Sequence, residues 1–139
     1  MLIHISASNP KPMYEQVVDE IQRLIVTGQL QQDEMLPSIR ELSTDLRTSA
    51  ITIRRAYQEL EREGFIYTRA GKGSFVARLS AEKLMQWKME QVKQALWEAV
   101  LQAKRLDLTE EQVRELFADM WLKADQITKS SGQGGESND

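Results

Sequence analysis

Apolar positions recur along this chain with two different periods, and the switches between them mark its elements. From Met13 to Val26, Tyr14, Val17, Val18, Ile21, Leu24 and Ile25 fall at three- and four-residue spacing, the single stripe of an amphipathic helix. Gly28 is placed to end that helix, because glycine takes a left-handed backbone at little cost. Ser38 and Glu41 then have the spacing of a capping box after Pro37. They predict a short helix to about Leu46 with Ile39, Leu42 and Leu46 turned inward. Residues 47–49 make a turn, and Ser49 caps a third helix running to about Glu63. Its inward side is Ile53, Ala56, Tyr57 and Leu60, and Gly64 stops it.

A period of two appears on either side of these helices. Residues 2–6, "LIHIS", alternate weakly and read as a short strand, broken by Asn9, Pro10 and Pro12. The β-prone runs "FIYTR" and "GSFVAR" flank a glycine-bearing gap and read as a hairpin. Strand, helix, helix, turn, helix, hairpin is the order of a helix-turn-helix with a wing. The expected fold is therefore mainly α with a small β wing, over residues 1–78.

The remainder is helical. Ser80 caps a long helix to residue 105, with Met85, Met89, Val92, Leu96, Ala99, Val100 and Ala103 in one stripe. Leu84, Trp87, Trp97 and Leu101 widen its apolar coverage. A break at "LDLTEEQ" gives a new cap at Thr109 and a last helix to about Ile127. That helix carries Val113, Leu116, Phe117, Met120, Trp121 and Ala124 on one side. Two helices cannot bury stripes this wide on each other alone, and large exposed apolar patches mark interfaces. Residues 79–128 are thus expected to form a homodimer. Leu84, Trp87, Val92, Leu96, Val100, Phe117 and Trp121 are the candidate contacts. Packing on the same chain's winged helix is the alternative. Residues 129–139 are expected to be a disordered tail.

Charge changes the picture more than composition does. The 139 residues are 41% hydrophobic and carry a formal net charge of -3, which taken as a total argues against nucleic acid. The distribution argues otherwise. From Leu46 to Gln58 the charges are Arg47, Arg54 and Arg55, with no acid. From Gly64 to Leu79 they are Arg69, Lys72 and Arg78, again with no acid. Such local patches, rather than the total, mark a phosphate binder. With the third helix's apolar side inward, Ala50, Ile51, Arg54, Arg55 and Gln58 face outward near its start. A recognition helix reads bases with such residues. Arg54 is the candidate base reader, since arginine pairs twice with guanine. Arg55 is a candidate for base or phosphate. Ile51 either meets a thymine methyl or packs against the turn. Ser38, Ser49 and Thr52 sit at helix starts, where backbone N–H groups favour an anion, with capping the main role of Ser38. Arg40 opposes the dipole of its own helix start, which suggests an external anion.

Other chemistry is absent from the pattern. There are no cysteines, hence no disulfide or thiolate metal site, and a reducing, cytoplasmic setting is expected. No apolar run approaches the roughly 20 residues of a membrane span, and the first residues lack the form of a signal peptide. The lone His4 has no supporting constellation, and "GKG" is too short for a nucleotide loop. No enzyme activity, cofactor or metal is expected.

The segments "PMYEQVVDEIQRLIVTGQL", "LPSIRELSTDL", "TIRRAYQELEREGFI" and "GKGSFV" resemble, in order and spacing, the winged-helix domain of the GntR family of bacterial transcription regulators. The resemblance covers about residues 9–78. It implies a dimer on an inverted-repeat operator, with DNA contacts at Arg40, Ser49, Thr52, Arg54, Gly71 and Lys72. The roughly 60 residues that follow are too short for a large effector domain and resemble the YtrA-like subfamily. That implies dimerisation through the C-terminal helices and, often, control of transporter genes. Two departures stand out. Many members have arginine, a principal DNA contact, where this chain has Ala50, and many have glycine near Asp33. The expected function is a homodimeric operator-binding repressor. The competing readings are a winged-helix protein-interaction module, and a regulator sensing an unknown small-molecule effector between its C-terminal helices.

Overall fold

The computed structural model describes residues 3–133, in the order α1 (Met13–Val26), α2 (Ile39–Leu46), α3 (Ala50–Arg62), β1 (Ile66–Arg69), β2 (Gly73–Val76), α4 (Ala81–Arg105) and α5 (Glu110–Gln133). Val17, Ile21, Ile53, Leu60 and Val76 are its most deeply buried large side chains, and they all belong to the winged helix. The stripes of α1 and α3 meet there, closed by Leu42, Phe65 and Ile66. On α2 only Leu42 is fully buried, while Ile39 and Leu46 are half-buried.

The expected strand at residues 2–6 is not formed over the described residues, 3–6. A side chain takes the role a neighbouring strand would have had. Buried Gln16 accepts from Ser6 N (2.8 Å) and donates to Ser6 O (3.1 Å) and Lys11 O (2.9 Å). The backbone groups of Ser6 are thereby satisfied without a sheet, and Ile3 still packs inward.

The hairpin forms as expected, with Ile66 opposite Val76 and Arg69 opposite Gly73. The sheet is wider than the hairpin. Asp33 N donates to Val76 O (2.8 Å), Val76 N to Glu34 O (2.9 Å) and Leu36 N to Ser74 O (2.9 Å), so residues 33–36 run along β2 as a third edge. Asp33 sits at φ 65°, in the left-handed region. That is the conformation glycine adopts freely. Asp33 compensates through its carboxylate, which accepts from the Tyr67 hydroxyl at 2.8 Å. This bond, with partial burial, holds the Tyr67 phenol above its ordinary pKa.

Ser80 caps α4 through its Oγ, accepting from Lys83 N at 3.1 Å. The first turn of α4 is tied to the winged helix: Lys83 Nζ donates to the Glu63 carbonyl at the end of α3 and lies 5.0 Å from the Phe65 ring centroid. Gly64, at φ 82°, leaves room for it, since a Cβ there would lie 2.9 Å from Lys83 Nζ. The chain accordingly divides into two compact units between Met85 and Gln86, inside α4 rather than at residue 78.

In the second unit, α4 and α5 are joined by a tight turn with Asp107 at φ 59°. Thr109 and Gln112 cap α5 reciprocally, Gln112 N on Thr109 Oγ1 (3.1 Å) and Thr109 N on Gln112 Oε1 (2.9 Å). α5 continues past the expected end at Ile127 to Gln133, so residues 129–133 are helical rather than disordered. The rest of the expected tail, 134–139, lies outside the described residues. No helix among the described residues is long and apolar enough to cross a membrane.

Candidate nucleic-acid interface

The start of α3 is built by its cap. Ser49, at extended φ and ψ, accepts from Thr52 N at 3.1 Å, and its Oγ lies 2.8 Å from Thr52 Oγ1. The first turn contains no acid. Ile53, Ala56, Tyr57 and Leu60 are buried, which leaves Ala50, Ile51, Arg54, Arg55 and Gln58 exposed on the other side. Ile51 is 76% exposed, so it does not pack against the turn.

Tyr57 ties α3 to the segment that leads into α2. Its buried hydroxyl donates to Pro37 O at 2.6 Å, just before α2. Burial, and then the nearby Glu41 charge, push its pKa well above the ordinary tyrosine value. Ser38 caps α2, accepting from Glu41 N at 3.0 Å, and Arg40 is exposed in the first turn. The turn itself passes through Arg47, left-handed at φ 52°.

The arginines of α3 differ. Among the described residues, the Arg54 side chain makes no hydrogen bond or ion pair, so its guanidinium is free to meet a ligand. The Arg55 guanidinium lies 3.9 Å from the centroid of the Tyr14 ring on α1. That contact covers one face of the cation and anchors it to a neighbouring helix. Sequence spacing alone carries no sign of it, because the partner is 41 residues away. The wing adds Lys72, exposed at the tip, where Lys72 N on Arg69 O (3.0 Å) closes the turn over Gly71.

Leu84 and Trp87 are half-buried near the start of α4. Leu96, Val100 and Phe117 line a recess of about 480 Å³ between α4 and α5, and Val92 joins Leu96 and Phe117 along an adjoining recess of about 460 Å³. Phe117 and Trp121 hold their ring centroids 5.6 Å apart. Val92 is 65% exposed and Trp121 61%.

A capped, acid-free helix start beside a slim basic hairpin defines a winged helix-turn-helix of the kind that docks on duplex DNA. The sequence profile of the bacterial regulatory proteins of the gntR family matches residues 13–76. The HTH-type transcriptional repressor YtrA of Bacillus subtilis is 30% identical over 142 aligned residues, spanning 99% of this chain and all of YtrA. A solved GntR family transcriptional regulator from Listeria monocytogenes superposes with a TM-score of 0.68 at 32% identity, over 84% of this chain and 97% of that one. The DNA-binding domain of AraR, solved in complex with operator ORX1, aligns at 32% identity over 54% of this chain and 96% of that one, with a TM-score of 0.50. The chain belongs to the GntR family, in its YtrA-like group, and is a DNA-binding transcription regulator rather than an enzyme.

Proposed function

We propose that the chain is a homodimeric repressor that binds an inverted-repeat operator, with the start of α3 and the wing on DNA and the C-terminal helices pairing two copies. The observation that carries this reading is the outward, acid-free start of α3 with its unengaged Arg54. Arg54 pairs with a guanine in the major groove, and Ile51 meets a thymine methyl beside it. Arg55, pinned to Tyr14, suits a phosphate at a fixed position better than a base. Ser49 and Thr52 hold the helix start at the backbone, while Arg40, Gly71 and Lys72 add contacts that set register rather than sequence. Operator binding by AraR supports the docking mode, and the repressor activity in the name of YtrA supports the sign of regulation. Control of transporter genes, and a place in the cytoplasm, follow from the YtrA resemblance alone.

The dimer reading rests on exposed apolar surface. Met89, Val92, Trp97, Phe117, Met120 and Trp121 are all open to solvent in the single chain. A soluble chain seldom leaves so much bare. Val92, Phe117 and Met120 of this set also line the recesses between α4 and α5, so we assign those recesses to side chains of the partner copy and not to a metabolite. Two copies related by a two-fold axis present their recognition helices about 34 Å apart, one turn of DNA.

Electrophoretic mobility shift against the gene's own upstream DNA, with a scrambled competitor, tests the reading. Sequence-selective binding that weakens with salt is expected. Equal affinity for scrambled DNA would instead favour a protein-interaction module.

A further inference from the structure

The wing holds a cation that the contacts above leave unused. Arg69 ends β1 directly opposite Gly73. Its guanidinium lies 5.5 Å from the Tyr67 ring centroid and 5.8 Å from that of Phe75. Those rings are cross-strand partners, stacked with centroids 5.5 Å apart and planes 21° from parallel. Tyr67 is fixed in turn, because its hydroxyl donates to Asp33 Oδ1 at 2.8 Å and Asp33 is held to Val76 by its backbone. Residues 67 and 69, with 73 and 75 across from them, share one face of the hairpin. Gly73 adds no side chain to that face, and the Met35 sulfur lies 3.7 Å from where its Cβ would stand.

The guanidinium is therefore supported and yet unspent. Among the described residues it makes no hydrogen bond or ion pair, and Arg69 is exposed. A residue that only covered two rings would not need charge or a planar fork. Arginine has both, and it is more weakly hydrated than lysine, so it gives up water more readily on entering a confined site. The wing tip is slim as well. Between Arg69 and Gly73 lie Ala70, Gly71 and Lys72, so Lys72 carries the one long side chain of the loop. A tip of this width suits a minor groove about 6 Å across.

We infer that Arg69 is a DNA-contacting residue of the wing, held by the Tyr67–Phe75 stack to enter the minor groove, where it favours narrow, A·T-rich DNA flanking the bases read by α3. This rests on the operator-binding reading and extends it to a second determinant of the site. A·T tracts narrow the groove and deepen its negative potential, which attracts an inserted arginine.

The test uses the full chain and a duplex selected by it from a random pool, resynthesised with A·T-rich or G·C-rich flanks around the same core. Fluorescence anisotropy reads the affinity of the wild type, Arg69→Met and Arg69→Lys, with circular dichroism as the folding control. The wild type is expected to prefer A·T flanks roughly tenfold. Arg69→Met abolishes that preference but keeps discrimination between the intact and a scrambled core. Arg69→Lys keeps the charge and stem, so it reports even if the methionine variant folds poorly, and it loses most of the preference. Retained flank preference in Arg69→Lys and Arg69→Met overturns the inference. An equal loss of affinity on both flanks, with the preference intact, makes Arg69 a phosphate contact and also overturns the groove assignment. If the wild type itself fails to tell the core from scrambled DNA, the operator reading falls, and this inference with it.

Discussion

The winged helix and the C-terminal helices carry apolar stripes of the same kind, and only one of the two buries them. In the winged helix, the inward residues of α1 and α3 are closed off by their own chain: Val17, Ile21, Ile53 and Leu60 are inaccessible to solvent. In α4 and α5, residues at equivalent helical spacing stay open, among them Val92, Leu96, Leu116, Phe117 and Trp121, and among the described residues of these helices Ala103 alone is fully buried. Periodicity thus says that a face needs a cover without saying what covers it. The difference also separates two tasks. A closed core holds the DNA-reading side chains on a stiff frame, whereas open helices leave surface with which another chain can pair.

Substitutions on the two sides should behave differently. The largest effect is expected in the closed core. Ile53→Ala removes a fully buried side chain and should cost about 2–5 kcal/mol. Urea denaturation would read that loss at every protein concentration. Phe117→Ala should instead leave the unfolding of the winged helix unchanged and weaken self-association by about 2 kcal/mol or more. Sedimentation equilibrium measures it, and a comparable loss of winged-helix stability would erase the contrast. Arg54→Ala should weaken binding to the selected duplex by about 1–3 kcal/mol and relax the preference at one position, with melting unchanged.

Tyr57→Phe should have the smallest effect, about 1 kcal/mol, from the lost bond to Pro37 O. Its pH dependence has a definite sign. Burial raises the Tyr57 pKa in the folded chain. The stability linked to the neutral phenol is therefore complete below the unfolded value of about 10 and declines as pH rises from there toward the folded value. The wild type should lose its advantage over Tyr57→Phe in alkaline thermal scans. A constant gap across that range would mean that the hydroxyl is not buried as described.

Elements held by local rules were legible in the residues. The bounds of α1, the inward set of α3, and the caps at Ser38, Ser49, Ser80 and Thr109 all follow from spacing and side-chain type. Features that need a distant partner were not. Residues 33–36 gain a sheet only because β2 lies beside them. The alternation gives no strand over the described residues 3–6, where the backbone of Ser6 pairs instead with a glutamine ten residues on. Helix α5 runs on through serines and a glycine that lower helix propensity. Within the candidate site, the outward residues of α3 could be listed from periodicity. The contact of Arg55 with Tyr14 could not, because it depends on tertiary approach, whereas that of Arg69 with Tyr67 and Phe75 is local to the hairpin. Ala50 is exposed at the head of the recognition helix, as its spacing requires.

The most direct test of the account is the stoichiometry and selectivity of the complex on a duplex selected from random DNA. Sedimentation velocity with labelled duplex measures both. The account predicts two chains per duplex on an inverted repeat whose half-sites are one helical turn apart, about 34 Å, with scrambled DNA bound far more weakly. One chain per duplex, or equal binding to scrambled DNA, would contradict it.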